Sequence, residues 1–278
     1  MIRSLSIDFY KHRSLAENVE LFTKMGFDGV SIYISELLGN LDSADAIAEA
    51  VKKSGASLSV HGPICVSHAS EDIKKFEENI EKIAEWQKKH GIISNLSFDV
   101  PDAIRDNVTP YVDRVLERVP DCLVALEDFG LNATERAGIE HLKGNARFGY
   151  LLDIGHMFIR LCGKPERDLT LFQSSPDECD AVDEPKYEHF LRAFKSKEFP
   201  VFELHLHNND GHGDLHRFLA DGLIDYAMIA RLLRDIGFDG TLTFESAPGY
   251  TFKCYGEDAD RGIAQSLEYW EELYNKVR

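Results

Sequence analysis

In the stretch Val201-Phe202-Glu203-Leu204-His205-Leu206-His207, the residues from Phe202 on alternate side chains that avoid water with side chains that ionise. A period of two is the mark of an extended strand whose two faces meet different surroundings. Phe202, Leu204 and Leu206 would pack under helices, while Glu203, His205 and His207 would share the opposite face. Ionisable groups on a buried face are costly unless they are paired or bound to a cation. That face therefore has a use other than packing.

The same rhythm recurs along the chain, at Ser4–Tyr10, Gly29–Ile34, Leu58–Pro63, Ile93–Val100, Cys122–Phe129, Phe148–Ile154, Val201–His207 and Thr241–Ser246. Amphipathic stretches follow these runs, near 14–25, 44–54, 70–89, 101–118, 134–142, 184–195, 225–237 and 258–276. Eight βα units in 278 residues predict a single α/β domain over 1–278, a closed (β/α)8 TIM barrel; such barrels typically take about 250 residues. Leu5, Ile7, Phe9, Leu58, Val60, Leu96, Phe98, Leu242 and Phe244 would face the helices. The alternate positions, Ser6, Asp8, Ser59, His61, Ser97, Asp99, Thr243 and Glu245, would face the lumen. A lumen filled only for packing favours branched apolar residues, and this one is polar. Residues 157–183, with Gly163, Pro165 and Ser174-Ser175-Pro176, break the rhythm and read as an insertion at the mouth, either a lid or a solvated loop.

With 44% hydrophobic and 28% charged residues the chain is globular. No run approaches the roughly 18 to 20 apolar residues that span a bilayer. The segment Met1–Asp8 enters a strand pattern with no apolar signal region, so a cytoplasmic location and no membrane partner are expected. The cysteines Cys65, Cys122, Cys162, Cys179 and Cys254 are scattered, without a Cys-x-x-Cys pair. That argues for reduced thiols and against a thiolate zinc site. A net charge of −17 repels phosphate backbones and disfavours a nucleic-acid partner. Homo-oligomerisation is left open.

Four inward positions near strand ends carry the chemistry: Glu127 in Ala125-Leu126-Glu127-Asp128, Asp153 in Leu152-Asp153-Ile154-Gly155-His156, His205, and Glu245 in Thr243-Phe244-Glu245-Ser246. They would converge on one side of the mouth and offer three carboxylates and one imidazole to a divalent metal ion. Oxygen-rich ligation with one nitrogen suits Mn2+, Mg2+, Co2+ or Zn2+ and does not choose among them. His156, Asp214 and His216 lie close in the pattern, and with His61 form a second set that would bind a further metal or grip substrate. His207 is weighed lower, and Trp86 and Trp270 read as packing residues.

In order along the chain, these motifs resemble those of the xylose isomerase-like barrel superfamily, which includes sugar isomerases, ketose 3-epimerases and the endonuclease IV type of abasic-site nuclease. The resemblance covers nearly the whole length and is sharpest from the fifth strand onward. It rests on Glu127, on Asp153 with His156, on His205 with Asn208-Asn209, on Asp214 with His216, on the loop Ala220-Asp221-Gly222-Leu223-Ile224-Asp225-Tyr226, and on Glu245. Two departures stand out. Ser97-Phe98-Asp99 occupies the end of strand four, where the nuclease branch carries a metal-binding histidine, and Ala220 replaces the first glycine of the loop.

The resemblance implies a metal-dependent isomerase or epimerase acting on a small sugar or polyol, in which Glu127 and Glu245 act as the catalytic base and acid. An endonuclease IV-like metal-dependent phosphodiesterase is the rival from another reaction class. A non-catalytic sugar-binding barrel that keeps its metal site is the third.

Overall fold

The structure, a computed structural model, describes residues 1–39, 41–62, 70–98, 108–127, 133–161, 186–195, 197–211, 213–248 and 253–276. Eight parallel strands close into a barrel in simple sequence order, with β1 pairing both β2 and β8. The strands are β1 Ile2–Ser6, β2 Gly29–Tyr33, β3 Ser57–His61, β4 Ile93–Phe98, β5 Leu123–Glu127, β6 Phe148–Asp153, β7 Val201–Leu206 and β8 Thr241–Phe244. Helices α1 Leu15–Met25, α2 Ile34–Gly39, α3 Leu41–Ser54, α4 Ser70–His90 and α5 Thr109–Arg118 serve the first half. Helices α6 Ala133–Ile139, α7 Ile154–Leu161, α8 Lys186–Lys195, α9 Tyr226–Asp235 and α10 Glu257–Lys276 serve the second. Among the described residues no helix is long and apolar enough to cross a membrane.

Strand alternation divides the molecule as the sequence indicates. Leu5, Val30, Val60, Leu96, Leu126, Leu152, Leu204 and Phe244 are buried in the layer between sheet and helices, together with Trp86 and Trp270. Ser4, Ser6, Ser31, Ser59, Asn95, Ser97, Glu203 and Thr243 are buried as well, with Ser6, Ser31, Ser59 and Asn95 in register across β1 to β4 and Ser4 opposite Thr243. The small hydroxyls leave room for the larger ionisable groups above them.

The differences from expectation have local causes. The first strand stops at Ser6 and gives way to a 3-10 turn over Ile7–Phe9. The Asn18 amide of α1 donates to the carbonyls of Ile7 and Tyr10, drawing the chain into that turn. Helix α1 itself starts on a capping box, in which Ser14 and Glu17 satisfy each other's backbone N–H groups. A short helix, α2, follows β2 at once where a loop was expected. The expected helix over 134–142 ends at Ile139 and continues as a 3-10 turn over Glu140–Leu142.

Helix α7 is the largest departure: residues 157–161, expected to begin an insertion, belong to it. The rest of that insertion, 162–183, lies outside the described residues. The same holds for Asp99 and for the expected strand ends Pro63, Val100, Asp128 and Phe129, as well as for Cys65, Cys162 and Cys179. Cys122 and Cys254 are free thiols. His90 and His141 pair with Asp45 and Asp113, away from the mouth.

Asp8 occupies the turn after β1 and is buried, with one carboxylate oxygen accepting the Tyr33 N–H at 2.8 Å. Burial pushes its carboxyl up to about 7, only partly offset by that hydrogen bond. A carboxyl raised from an ordinary 3.8 contributes stability below 3.8 that drains away as pH rises through 7. Asp8→Asn should therefore flatten the fall in unfolding free energy over that interval, measured by urea denaturation at stepped pH. Parallel profiles for the two proteins would contradict the assignment.

Candidate metal centre

The strand ends deliver their side chains to the mouth through short-range devices. Asp153 closes β6 and is also the residue before α7, where its Oδ1 accepts the His156 N–H at 2.7 Å. A carboxylate in that place satisfies an otherwise unpaired N–H of the first turn. The Asp-x-x-His spacing is thus a helix start that sets Asp153 and His156 side by side. Gly155 lies between them because a Cβ there would sit 2.1 Å from Cε1 of His207.

The loop after β7 is braced in a similar way. Asn208 bridges to Arg217 through the backbone, and its side chain ties to Leu219 and Ile224. Asp225 caps α9, and the Tyr226 hydroxyl donates to the His207 carbonyl. These residues of the loop motif hold the scaffold on which Asp214 and His216 are displayed.

Glu127, Asp153, His205 and Glu245 come together, each no more than 2% exposed. Glu127, Asp153 and His205 offer ligand atoms that all lie within 4.8 Å of one another. Glu245 joins through His205, whose Nδ1 is 3.0 Å from its Oε2 and 3.8 Å from Oδ2 of Asp153. Glu245 also forms a trio with Asp153 and His207. His61 belongs to this side of the mouth: it groups with His205 and Glu245, lies 3.5 Å from Glu127, and is steadied by Ser97 at 3.0 Å.

The second expected set gathers next to the first. His156, Asp214 and His216 form a compact group, and His207 is its fourth member. Asp214 lies 3.3 Å from His156 and 3.0 Å from His216. The His207 ring stacks on His216 with centroids 4.0 Å apart, and its Nε2 is 3.1 Å from Asp153. His216 has a left-handed backbone, φ 44°, rare for a residue with a side chain. Its Nδ1 is 2.7 Å from the Glu245 carbonyl. A carbonyl only accepts, so Nδ1 carries the proton and Nε2 faces Asp214.

His207, weighed lower on the sequence, joins this second group in the structure, and its place on the inward face of the His205 strand is the signal the sequence carries for it. The sequence assigns no role to Tyr33, whose hydroxyl donates to Oε1 of Glu245 at 3.1 Å. Gly62, with φ 116°, makes space for that ring, since a Cβ would approach it to 2.5 Å. Only the register of β2 against its neighbours reveals this contact.

The electrostatics explain how so many charges share a dry space. Burial alone would raise the Asp153 carboxyl, but the imidazoles of His156 and His207 hold it down at about 2. Burial likewise opposes ionisation of Glu245 and is outweighed by His205, then His216 and His61, so its carboxyl lies well below the usual range. The histidines respond in kind. Burial disfavours charge on His216, yet Asp214 and Glu245 lift it to about 9, and His205 and His156 are raised well above their ordinary value despite burial.

The donor set fits a divalent cation. Oδ2 of Asp153 and both ring nitrogens of His205 are buried with no hydrogen-bond partner. Buried polar atoms are seldom left in that state. A field that draws protons onto these imidazoles also favours a cation in their place, with release of the protons.

Comparisons with known proteins agree with the fold. The model of the xylose isomerase-like TIM barrel family matches residues 19–273. A D-tagatose 3-epimerase-like protein has a similar structure, with 17% identity, all of both chains covered and a TM-score of 0.63. A D-allulose 3-epimerase from Methylomonas sp., solved with D-allulose, is 15% identical over 99% of this chain and 97% of its own, at a TM-score of 0.65. A 3-keto-D-glucoside 4-epimerase from E. coli is 17% identical over 98% of this chain and 100% of its own, also at 0.65. No curated protein matched the sequence. The family match over most of the chain, on a closed eight-stranded barrel, establishes that this chain belongs to the xylose isomerase-like TIM barrel family.

Proposed function

We propose that the chain is a divalent-metal-dependent sugar epimerase or isomerase that moves a proton between positions on a small polyol or keto-sugar. The observation that carries the reading is the convergence of Glu127, Asp153, His205 and Glu245 in a buried cluster at the C-terminal ends of the strands. Active sites of such barrels are built at that face. The likeness in fold to proteins described as 3- and 4-epimerases supports the same substrate class.

The four residues would hold the cation, Mn2+, Mg2+, Co2+ or Zn2+, and when bound it would supply positive charge against the negative charge that develops as a C–H bond next to a carbonyl breaks. The protein's own part is the proton. Glu127 and Glu245 approach the cluster from β5 and the end of β8, so one can take a proton from one face of a substrate carbon while the other returns it. The Tyr33 hydrogen bond to Oε1 of Glu245 fixes the orientation of that carboxylate. His156, 3.5 Å from Glu127, is placed to hold a substrate hydroxyl.

A second reading, metal-dependent phosphodiester hydrolysis, is favoured by the group His156, His207, Asp214 and His216 beside the first. Against it stand the net charge of −17 and Ser97 at the end of strand four.

The test is deuterium uptake from D2O into D-allulose, D-tagatose and D-fructose with Mn2+ present. Uptake at a carbon beside the carbonyl is expected, abolished by EDTA, with Glu127→Gln and Glu245→Gln each slowed at least about 100-fold while staying folded. Full activity in either variant would end its catalytic assignment. A manganese-loaded protein that exchanges no ketose but cleaves an abasic-site duplex would replace this reading with the nuclease. Sugar-induced thermal stabilisation without exchange would point to a binding protein.

A further inference from the structure

Glu203 is fully buried inside the barrel, two positions before His205 on the same face of β7. The proton transfer proposed above does not use it, and a carboxylate taken wholly out of water needs a reason to be there. Its contacts span the lumen. Oε1 accepts the Thr243 hydroxyl from β8, and Oε2 accepts the Asn95 amide from β4. Three strands therefore fix its position. The Oε1 atom also lies 3.7 Å from Nε2 of His205, a nitrogen with no hydrogen-bond partner.

The other nitrogen of that ring looks the opposite way. Nδ1 faces Glu245 at 3.0 Å and Asp153 at 3.8 Å, the two carboxylates with which it would share a cation. A neutral imidazole has one N–H and one lone pair, and only the lone pair can bind a metal. With the proton on Nδ1, the lone pair of Nε2 would oppose the Glu203 carboxylate, and an N–H would occupy the place of the cation. With the proton on Nε2, the N–H points toward the Glu203 carboxylate, and the Nδ1 lone pair meets a positive partner once a cation lies between it and Glu245 and Asp153.

We propose that Glu203 is a positioning residue: it keeps the His205 proton on Nε2 and so presents the Nδ1 lone pair to the cation held with Glu127, Asp153 and Glu245. This rests on the cation-site reading above and adds to it the tautomer and the residue that sets it. A carboxylate that accepts a hydrogen bond from a ligand histidine fixes the orientation of the ring and raises its basicity, and losing one typically costs about 10- to 100-fold in metal affinity. Glu203 Oε1, 3.7 Å from Nε2, would accept that bond after a small closure when the cation binds.

The probe is Zn2+ alone, titrated into the full 15N-labelled chain, with His205 read by long-range 1H–15N correlation. The zinc-loaded protein should show Nδ1 bound to metal and Nε2 protonated. Glu203→Gln should bind zinc about 10- to 100-fold more weakly, with its melting temperature in EDTA checking that the barrel is intact. Zinc bound at the cluster with His205 coordinated through Nε2, or Glu203→Gln binding as tightly as the parent, would overturn the role of Glu203 alone. Should the variant not fold, the tautomer in the parent protein decides. A parent protein whose His205 resonances ignore zinc would overturn both this inference and the cation site.

Discussion

Negative charge withdrawn from water must be answered by positive charge, and at the mouth of this barrel the answer comes from imidazole. Removing a carboxylate from water costs several kcal/mol even after relaxation, on the order of the whole stability of a domain when several are involved. The imidazoles that the structure sets against Asp153 and Glu245 are those of His156, His205, His207 and His216. Unlike arginine, a histidine can be neutral, so compensation comes either from protons on the rings or from a cation between them. The polar lumen, the helix start at Asp153 and the braced loop after β7 all serve to keep these groups together. A cluster whose charge balance can be met by exchanging protons for a metal ion is suited to binding one.

Much of this was legible in the sequence because strands have a period of two and the lumen is polar. Alternation placed His205 and Glu245 on inward faces, while Glu127 and Asp153 end largely apolar runs and were placed by their position at strand ends and by the order of the motifs. Alternation carries no such signal for a helix that begins at a strand end. The apolar residues of Ile154-Gly155-His156-Met157-Phe158-Ile159 fit a strand or a loop entrance as well as α7, and the deciding fact was the Asp153 cap. Tyr33 and Gly62 escaped for a different reason: their relation is a contact between strands, set by register, which residue types do not encode. His207 was visible on its strand, but its stacking on His216 depends on a loop that folds back over it.

The two neighbouring groups also show why membership of a fold family leaves the reaction to be argued from the site. His61, Glu127, Asp153, His205 and Glu245 surround one space, and His156, His207, Asp214 and His216 surround another, linked by the contacts of Asp153 and Asp214 with His207. Charge on one group is felt by the other across that link. The polar ladder beneath them, where Glu203 joins β4, β7 and β8, ties the site to the interior of the barrel.

Crystals soaked in Mn2+ and measured on both sides of the manganese absorption edge offer the most direct check that the mouth is a cation site. An anomalous peak bounded by Glu127, Asp153, His205 and Glu245 is the expected result. Peaks confined to surface acids, with none at the mouth after full soaking, would contradict it.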